Sequence, residues 1–318
     1  MPLDPAAERL LKMISAGRTA DDGRRAIADR RSAFNDLMRL SGRPAALDRV
    51  HDRFVPGPDS DIPIRIYTPL GSSEAELPGM IFFHGGGLVA GDLSTHDAFC
   101  RKLSNATAHR IVAVDYRLAP EHKFPAAAVD ADAACAWVIE NARALGLDPS
   151  RLGIAGDSAG AALAILACLA AKSAGRSMPA FQLLLCPITD FAAATESRNL
   201  FAEGYLIDRR MIEHDLRHYL PTGHSPADPR ISPLHATDLC GLPPALIHVA
   251  EFDPFRDEGE AYAERLRAAG VAASATRHRG MIHLFYALPG VLPAAEAVLQ
   301  QIAAQLATMT AAAGQVGR

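Results

Sequence analysis

Short apolar runs bounded by turn-forming residues recur along this 318-residue chain, at 62–68, 80–83, 110–116, 152–155, 181–186, 245–250 and 271–276. Each has the length of a strand. From residue 110 onward they alternate with stretches of helical period at 125–145, 158–174, 257–269 and 292–309. That alternation predicts βαβ units and a mainly parallel sheet with helices on both faces, an α/β fold. The first runs follow one another with no helical stretch between them, which predicts an antiparallel start to the sheet. Residues 161–171 are apolar nearly all round, so the helix at 158–174 is expected in the interior.

Two segments fall outside the rhythm. In residues 1–50, Ile27, Phe34, Leu37 and Met38 stand at helical spacing with charges between them, and 191–220 inserts a second helix-rich stretch between strands. The expected organisation is a helical segment at 1–50, a main α/β domain at 51–190 and 221–318, and an inserted helical segment at 191–220.

Chemistry enters where the run at 152–155 meets the following helix, at Gly156-Asp157-Ser158-Ala159-Gly160. A G-x-S-x-G on a strand-to-helix turn fits a nucleophile elbow, which pushes a serine hydroxyl into the open. The glycines suit it because Ser158 needs a strained backbone and its neighbours two residues away leave no room for a Cβ. Composition alone would yield this motif in roughly one such chain in ten, so context decides. His84-Gly85-Gly86-Gly87 follows the apolar run at 80–83. Three glycines at a strand end bare their N–H groups, as an oxyanion hole requires. Which two of Gly85, Gly86 and Gly87 donate stays open, with Gly86 in either pairing.

A serine of this kind needs an acid and a histidine downstream. The run at 245–250 leads into Glu251, Asp253 and Asp257; Asp253 fits the acid best, at the carboxyl end of the strand. Asp253-Pro254 also reads as a helix N-cap, and one carboxylate can serve both roles. Asp257 suits the first helical turn, where it complements the dipole. His283, on the loop after the last strand, fits the base; His278, between Arg277 and Arg279, reads as a solvated strand end. His214 and His218, four apart, read as a solvated helix face rather than a metal site, and His248 as a core residue.

These residues resemble the hormone-sensitive-lipase family, specifically the GDSAG branch of its bacterial esterases. The likeness is carried by 84–87, 91–97, 115–122, 124–127 with Asp130, 156–160, 253–259 and 280–285. It implies an α/β-hydrolase fold and a Ser158-Asp253-His283 triad. It also implies an oxyanion hole from the glycine run with the N–H of Ala159, and a helical cap formed by 1–50 and 191–220. The expected activity is that of a serine carboxylesterase acting on short- to medium-chain acyl esters through an acyl-enzyme. The alternatives are a same-fold amidase, carbamate or lactone hydrolase, or a ligand-binding protein that has lost catalysis. Ala161, Leu284 and Leu88 depart from the family pattern and bear on pocket shape. Leu88, Phe191, Phe201, Tyr205, Leu206 and Leu284 are the expected pocket residues.

Composition narrows the partners. At 49% hydrophobic and 21% charged the chain can bury one large core. A net charge of −4 leaves no basic footprint for nucleic acid. The five cysteines are scattered and odd in number, as in a cytoplasmic protein with reduced thiols. The N-terminus lacks a secretory apolar core, and the longest apolar run is too short to span a bilayer. No metal or other cofactor is called for. The expected partner is a small-molecule ester, and the resemblance is compatible with a homodimer.

Overall fold

The computed structural model describes residues 2–17, 26–72 and 75–316. Part of the 1–50 segment therefore lies outside the described residues. Eight strands form one sheet: β1 (Arg49–Val55), β2 (Ile62–Thr68), β3 (Leu77–Phe83), β4 (Arg110–Val114), β5 (Leu147–Asp157), β6 (Gln182–Leu185), β7 (Ala245–Phe252) and β8 (Ala273–Ile282). Their spatial order is β1-β2-β4-β3-β5-β6-β7-β8. β1 pairs antiparallel with β2, and β2 antiparallel with β4. From β4 to β8 every pairing is parallel.

Helices α1 (Pro5–Gly17) and α2 (Ile27–Met38) precede the sheet. Within the sheet the crossovers are α3 (Asp97–Thr107), α4 (Ala126–Glu140), α5 (Ala159–Ser173) and α8 (Arg256–Ala268). Between β6 and β7 stand α6 (Glu196–Leu200) and α7 (Arg209–Tyr219), and α9 (Ala294–Val316) closes the chain. α5 is buried nearly all round, as its composition requires.

The structure corrects two expectations. α3 lies between β3 and β4 and makes that pair parallel, so the antiparallel start is confined to β1, β2 and β4. The buried residues of α3, Phe99, Cys100, Leu103, Ser104 and Thr107, recur with helical period, but two of the five are polar. β1 was not expected either. It is a sheet edge with a mostly exposed sequence, in which Phe54 is 67% exposed, so it lacks the alternation of a half-buried strand.

Register decides where the site forms. Phe83 pairs with Gly156, Asp157 with Leu185, and Leu185 with His248. The loops after β3, β5, β6 and β7 thus leave from one carboxyl edge, where open α/β sheets gather their chemistry. An irregularity between β7 and β8 shifts the register beyond Ala250, so that Phe252 pairs with Ile282. Asp253 and His283 each follow that pair directly and leave the sheet side by side.

Candidate active site

β5 turns into α5 at Ser158, which has φ 53° and ψ −121°. A non-glycine residue there stores about 1–3 kcal/mol of strain and persists only if its surroundings hold it. They do: the Ser158 N–H donates to Leu185 O (2.8 Å), and Ser158 O accepts from Ile188 N–H (3.1 Å). A Cβ on Gly156 would overlap the carbonyl of Gly160, and one on Gly160 the carbonyls of Phe83 and His84. Both elbow glycines are therefore fixed by close backbone approach.

The Ser158 Oγ lies 3.0 Å from His283 Nε2, and His283 Nδ1 lies 2.7 Å from Asp253 Oδ2. A carboxylate only accepts, so it assigns the ring proton to Nδ1 and leaves the Nε2 lone pair facing the serine hydroxyl. Asp253 Oδ1 accepts the Phe255 N–H (2.9 Å). The helix after Asp253 starts at Arg256, so Asp253 closes a turn two residues ahead of the Phe255 N-cap rather than capping α8 itself. Ser158, Asp253 and His283 are all buried, and the Phe255 ring packs edge-on against the imidazole.

The other carboxylates are engaged elsewhere. Glu251 Oε2 accepts the Gly280 N–H (2.7 Å), while Asp257 accepts from Ser197 N–H (2.7 Å) and Arg256 Nε (2.8 Å). Among the described residues, Cys186, Asp253 and His283 form the one group whose ligand atoms lie within 4.8 Å of one another. The Asp253–His283 hydrogen bond occupies two of its members.

Two histidines differ from expectation. His278 is buried, not solvated: β8 continues past it to Ile282, and its Nε2 sits 2.9 Å from His248 Nδ1 on the neighbouring strand. His214 is also buried, with its ring against His218 and its Nδ1 3.1 Å from Asp215 Oδ1, because that face of α7 turns inward.

Burial holds His248 down at about 3, and His278 and His84 at about 4. Unfolded, these rings titrate near 6.5, so below that pH the unfolded chain takes up protons the folded chain refuses. Stability is therefore lost on acidification from about 6.5 toward 4, by about 3 kcal/mol at pH 4 for His84 alone. Urea unfolding at pH 7 and pH 5 is expected to show the loss, with a shallower pH slope in His278→Gln. An unchanged slope would remove the His248–His278 pair as a contributor.

The glycine loop after β3 is divided by function. The Gly85 N–H donates to Asp157 Oδ1 (2.8 Å), which corrects the inclusion of Gly85 among free donors. Among the described residues no acceptor meets the N–H of Gly86 or Gly87. A Cβ on Gly86 would overlap the Ala90 carbonyl, and one on Gly87 the Asp215 carboxylate. Asp157 is fully buried, with the Tyr286 hydroxyl at 3.3 Å and His96 Nε2 at 3.5 Å. The Tyr116 hydroxyl donates to His84 O (2.6 Å), and its ring stacks on His84. These groups anchor the loop from behind.

In front of Ser158 and His283 lies a cavity of about 400 Å³. Its wall includes Phe191, Leu206 and Leu284 from the expected set. Leu88, Phe201 and Tyr205 stand outside it. Leu88 is buried with its carbonyl bonded to Ala119 N–H, and Phe201 and Tyr205 pack on each other and on Phe252. The sequence reading did not assign Phe34 and Leu37 of α2, Met211 and Ile212 of α7, or Ile188 to the wall. The signal for α2 was present in the helical spacing of Phe34 and Leu37. Charged side chains also reach the wall: Arg30 and Asp215, paired with each other, Arg198, paired with Glu258, Asp36, paired with Arg39, and Asp157 behind the glycine loop. Burial raises the Glu258 pKa against the pull of Arg198.

Comparison with known proteins gives the same fold. A family model described as an α/β-hydrolase fold matches residues 80–287. LipN of Mycobacterium tuberculosis, named a carboxylic ester hydrolase, is 46% identical over 74% of this chain and 64% of its own length, so the match spans just under two thirds of that relative. The esterase LipI of the same organism is 39% identical over 92% of this chain and 91% of its own. A solved structure, the hyperthermophilic esterase of Pyrobaculum calidifontis, superposes with a TM-score of 0.91 at 37% identity, covering 97% of this chain and 99% of that one. Among the described residues no helix is long and apolar enough to cross a membrane. With the elbow, the shared sheet edge and these matches together, the chain belongs to the α/β-hydrolase fold family, in its hormone-sensitive-lipase-like group of hydrolytic enzymes.

Proposed function

We propose that the protein is a serine carboxylesterase that cleaves short- to medium-chain acyl esters through an acyl-enzyme. One observation carries the reading: Ser158 Oγ, both ring nitrogens of His283 and Asp253 Oδ2 stand in unbroken hydrogen-bond contact at the floor of a mainly apolar cavity. In this mechanism Ser158 attacks the ester carbonyl while His283 Nε2 takes its proton. Asp253 holds the tautomer and stabilises the imidazolium. The carbonyl oxygen, becoming negative, is received by the N–H groups of Gly86 and Gly87, with that of Ala159 at the start of α5. His283 then protonates the departing alcohol, and water repeats the sequence to release the acid.

In the same reading, α1 and α2 with α6 and α7 form the cap, since side chains from α1, α2 and α7 build much of the cavity wall. A covered apolar wall excludes water and receives the acyl chain. The test is a p-nitrophenyl ester series from acetate to palmitate. Turnover is expected to peak at short to medium chains and to fall by about tenfold or more at palmitate. A profile rising steadily to palmitate would refute the proposed chain-length class, and no turnover at any length would refute the esterase reading.

A further inference from the structure

We infer that Arg30 reads a second oxygen on the substrate, so that the preferred esters carry a hydrogen-bond acceptor, such as a ketone, beyond the scissile carbonyl. The inference rests on the esterase reading of the same cavity.

Arg30 of α2 and Asp215 of α7 meet across 185 residues of sequence and are each only 6% exposed. Arg30 Nε lies 3.1 Å and 3.2 Å from the two carboxylate oxygens, and Nη2 lies 2.8 Å from Oδ2. Both residues line the cavity, and the Asp215 carboxylate packs against the Cα of Gly87 on the glycine loop. The pair therefore sits beside the point where the substrate carbonyl is expected to bind.

A buried ion pair is weak evidence of stabilisation, because desolvating two charges offsets most of their attraction. Its unused hydrogen-bonding capacity is more informative. Asp215 Oδ1 is met by Arg30 Nε and His214 Nδ1, and Oδ2 by Arg30 Nε and Nη2. The carboxylate is thus occupied on both oxygens. Arg30 Nη1, by contrast, meets no acceptor among the described residues. Both residues line the cavity, so among the described residues the pair brings to it a guanidinium with donor capacity left over and a carboxylate already occupied.

Around it the wall is mainly apolar, from Phe34, Leu37, Met211 and Ile212, with Asp36, paired to Arg39, also on it. A ligand that fills such a wall with hydrocarbon alone removes water from Nη1 and returns nothing. A ligand with an acceptor oxygen at the right depth satisfies it. Sites built around a hydrogen-bonding group discriminate strongly against analogues that lack the partner.

The experiment compares ethyl 4-oxopentanoate with ethyl pentanoate, and ethyl 5-oxohexanoate with ethyl hexanoate, by pH-stat titration of the released acid. Wild type is expected to favour at least one keto ester by about tenfold in kcat/KM. In Arg30→Met/Asp215→Leu, which leaves no unpaired charge, the ratio is expected to fall to about one. Because the ratio is taken within one variant, lower overall turnover does not disguise it. Arg30→Met/Asp215→Asn provides the same ratio should the first variant fail to fold. Wild type that cleaves the plain esters with no preference for either keto ester would overturn the inference and leave the esterase reading standing. A preference that survives in the folded double variant would also overturn it. Wild type that cleaves none of the four esters would instead sink the esterase reading, and the inference with it.

Discussion

Ser158→Ala is expected to lower ester turnover by roughly six orders of magnitude while leaving the fold intact. The size follows from the cooperation of the site. His283 Nε2 has its hydrogen-bond partner in the Ser158 Oγ at 3.0 Å, and without that oxygen neither a nucleophile nor a useful general base remains. What survives is binding and polarisation by the glycine loop, which acts on water far less effectively. The variant loses one buried hydroxyl, and alanine accepts the φ of 53° about as poorly as serine does, so the elbow should persist. The check is a p-nitrophenyl butyrate assay beside circular dichroism and a thermal melt. A pre-steady-state burst of p-nitrophenol in wild type, absent from the variant, would identify the acyl-enzyme directly. Retained turnover in folded Ser158→Ala would refute the nucleophile assignment.

The second large effect is expected at Asp253, where Asn should cost about 10⁴ in kcat. The geometry explains why so small a change costs so much. Asp253 Oδ1 accepts the Phe255 N–H at 2.9 Å, while Oδ2 faces His283 Nδ1 at 2.7 Å. In the amide the oxygen keeps the Phe255 N–H, which cannot bond to an NH₂ group. The NH₂ then turns toward His283 and donates to Nδ1. That moves the ring proton to Nε2, which now donates to Ser158 instead of accepting from it. The fold and substrate binding should be little changed, so the loss is read in kcat more than in KM. Glu251→Gln and Asp257→Asn serve as comparisons and should stay within about tenfold of wild type, since those carboxylates hold other partners. A loss of 10⁴ in Asp257→Asn with little change in Asp253→Asn would reassign the acid.

Much of this site was legible in the residues because its parts are local. The elbow at 156–160 and the glycines at 85–87 are each short segments whose backbone demands exclude most side chains. Asp253 and His283 could be placed because both follow strand-like runs, and parallel strands deliver their following loops to one edge. The strands with apolar interiors were likewise evident, whereas β1 was not, since an exposed edge imposes little pattern. α3 was missed because polar Ser104 and Thr107 share its buried face, satisfied by the carbonyls of His109 and Leu103.

What the sequence by itself determined is the family and most of the strand-to-helix alternation, together with the residues proposed to react. Each of these rests on near-neighbour sterics or on periodicity. Tertiary structure alone decided which polar groups spend their hydrogen bonds inside the protein and which keep them for a ligand. Asp157 takes the Gly85 N–H from 72 residues away and leaves those of Gly86 and Gly87 open. His278 turns inward to His248 across a strand pair, and Phe201 and Tyr205 close on Phe252 instead of on the cavity. Arg30 finds Asp215 from the other end of the chain's fold. The physical reason is common to all four. A hydrogen bond or a packed ring depends on positions set to within about half an ångström by distant segments, and no local spacing encodes that.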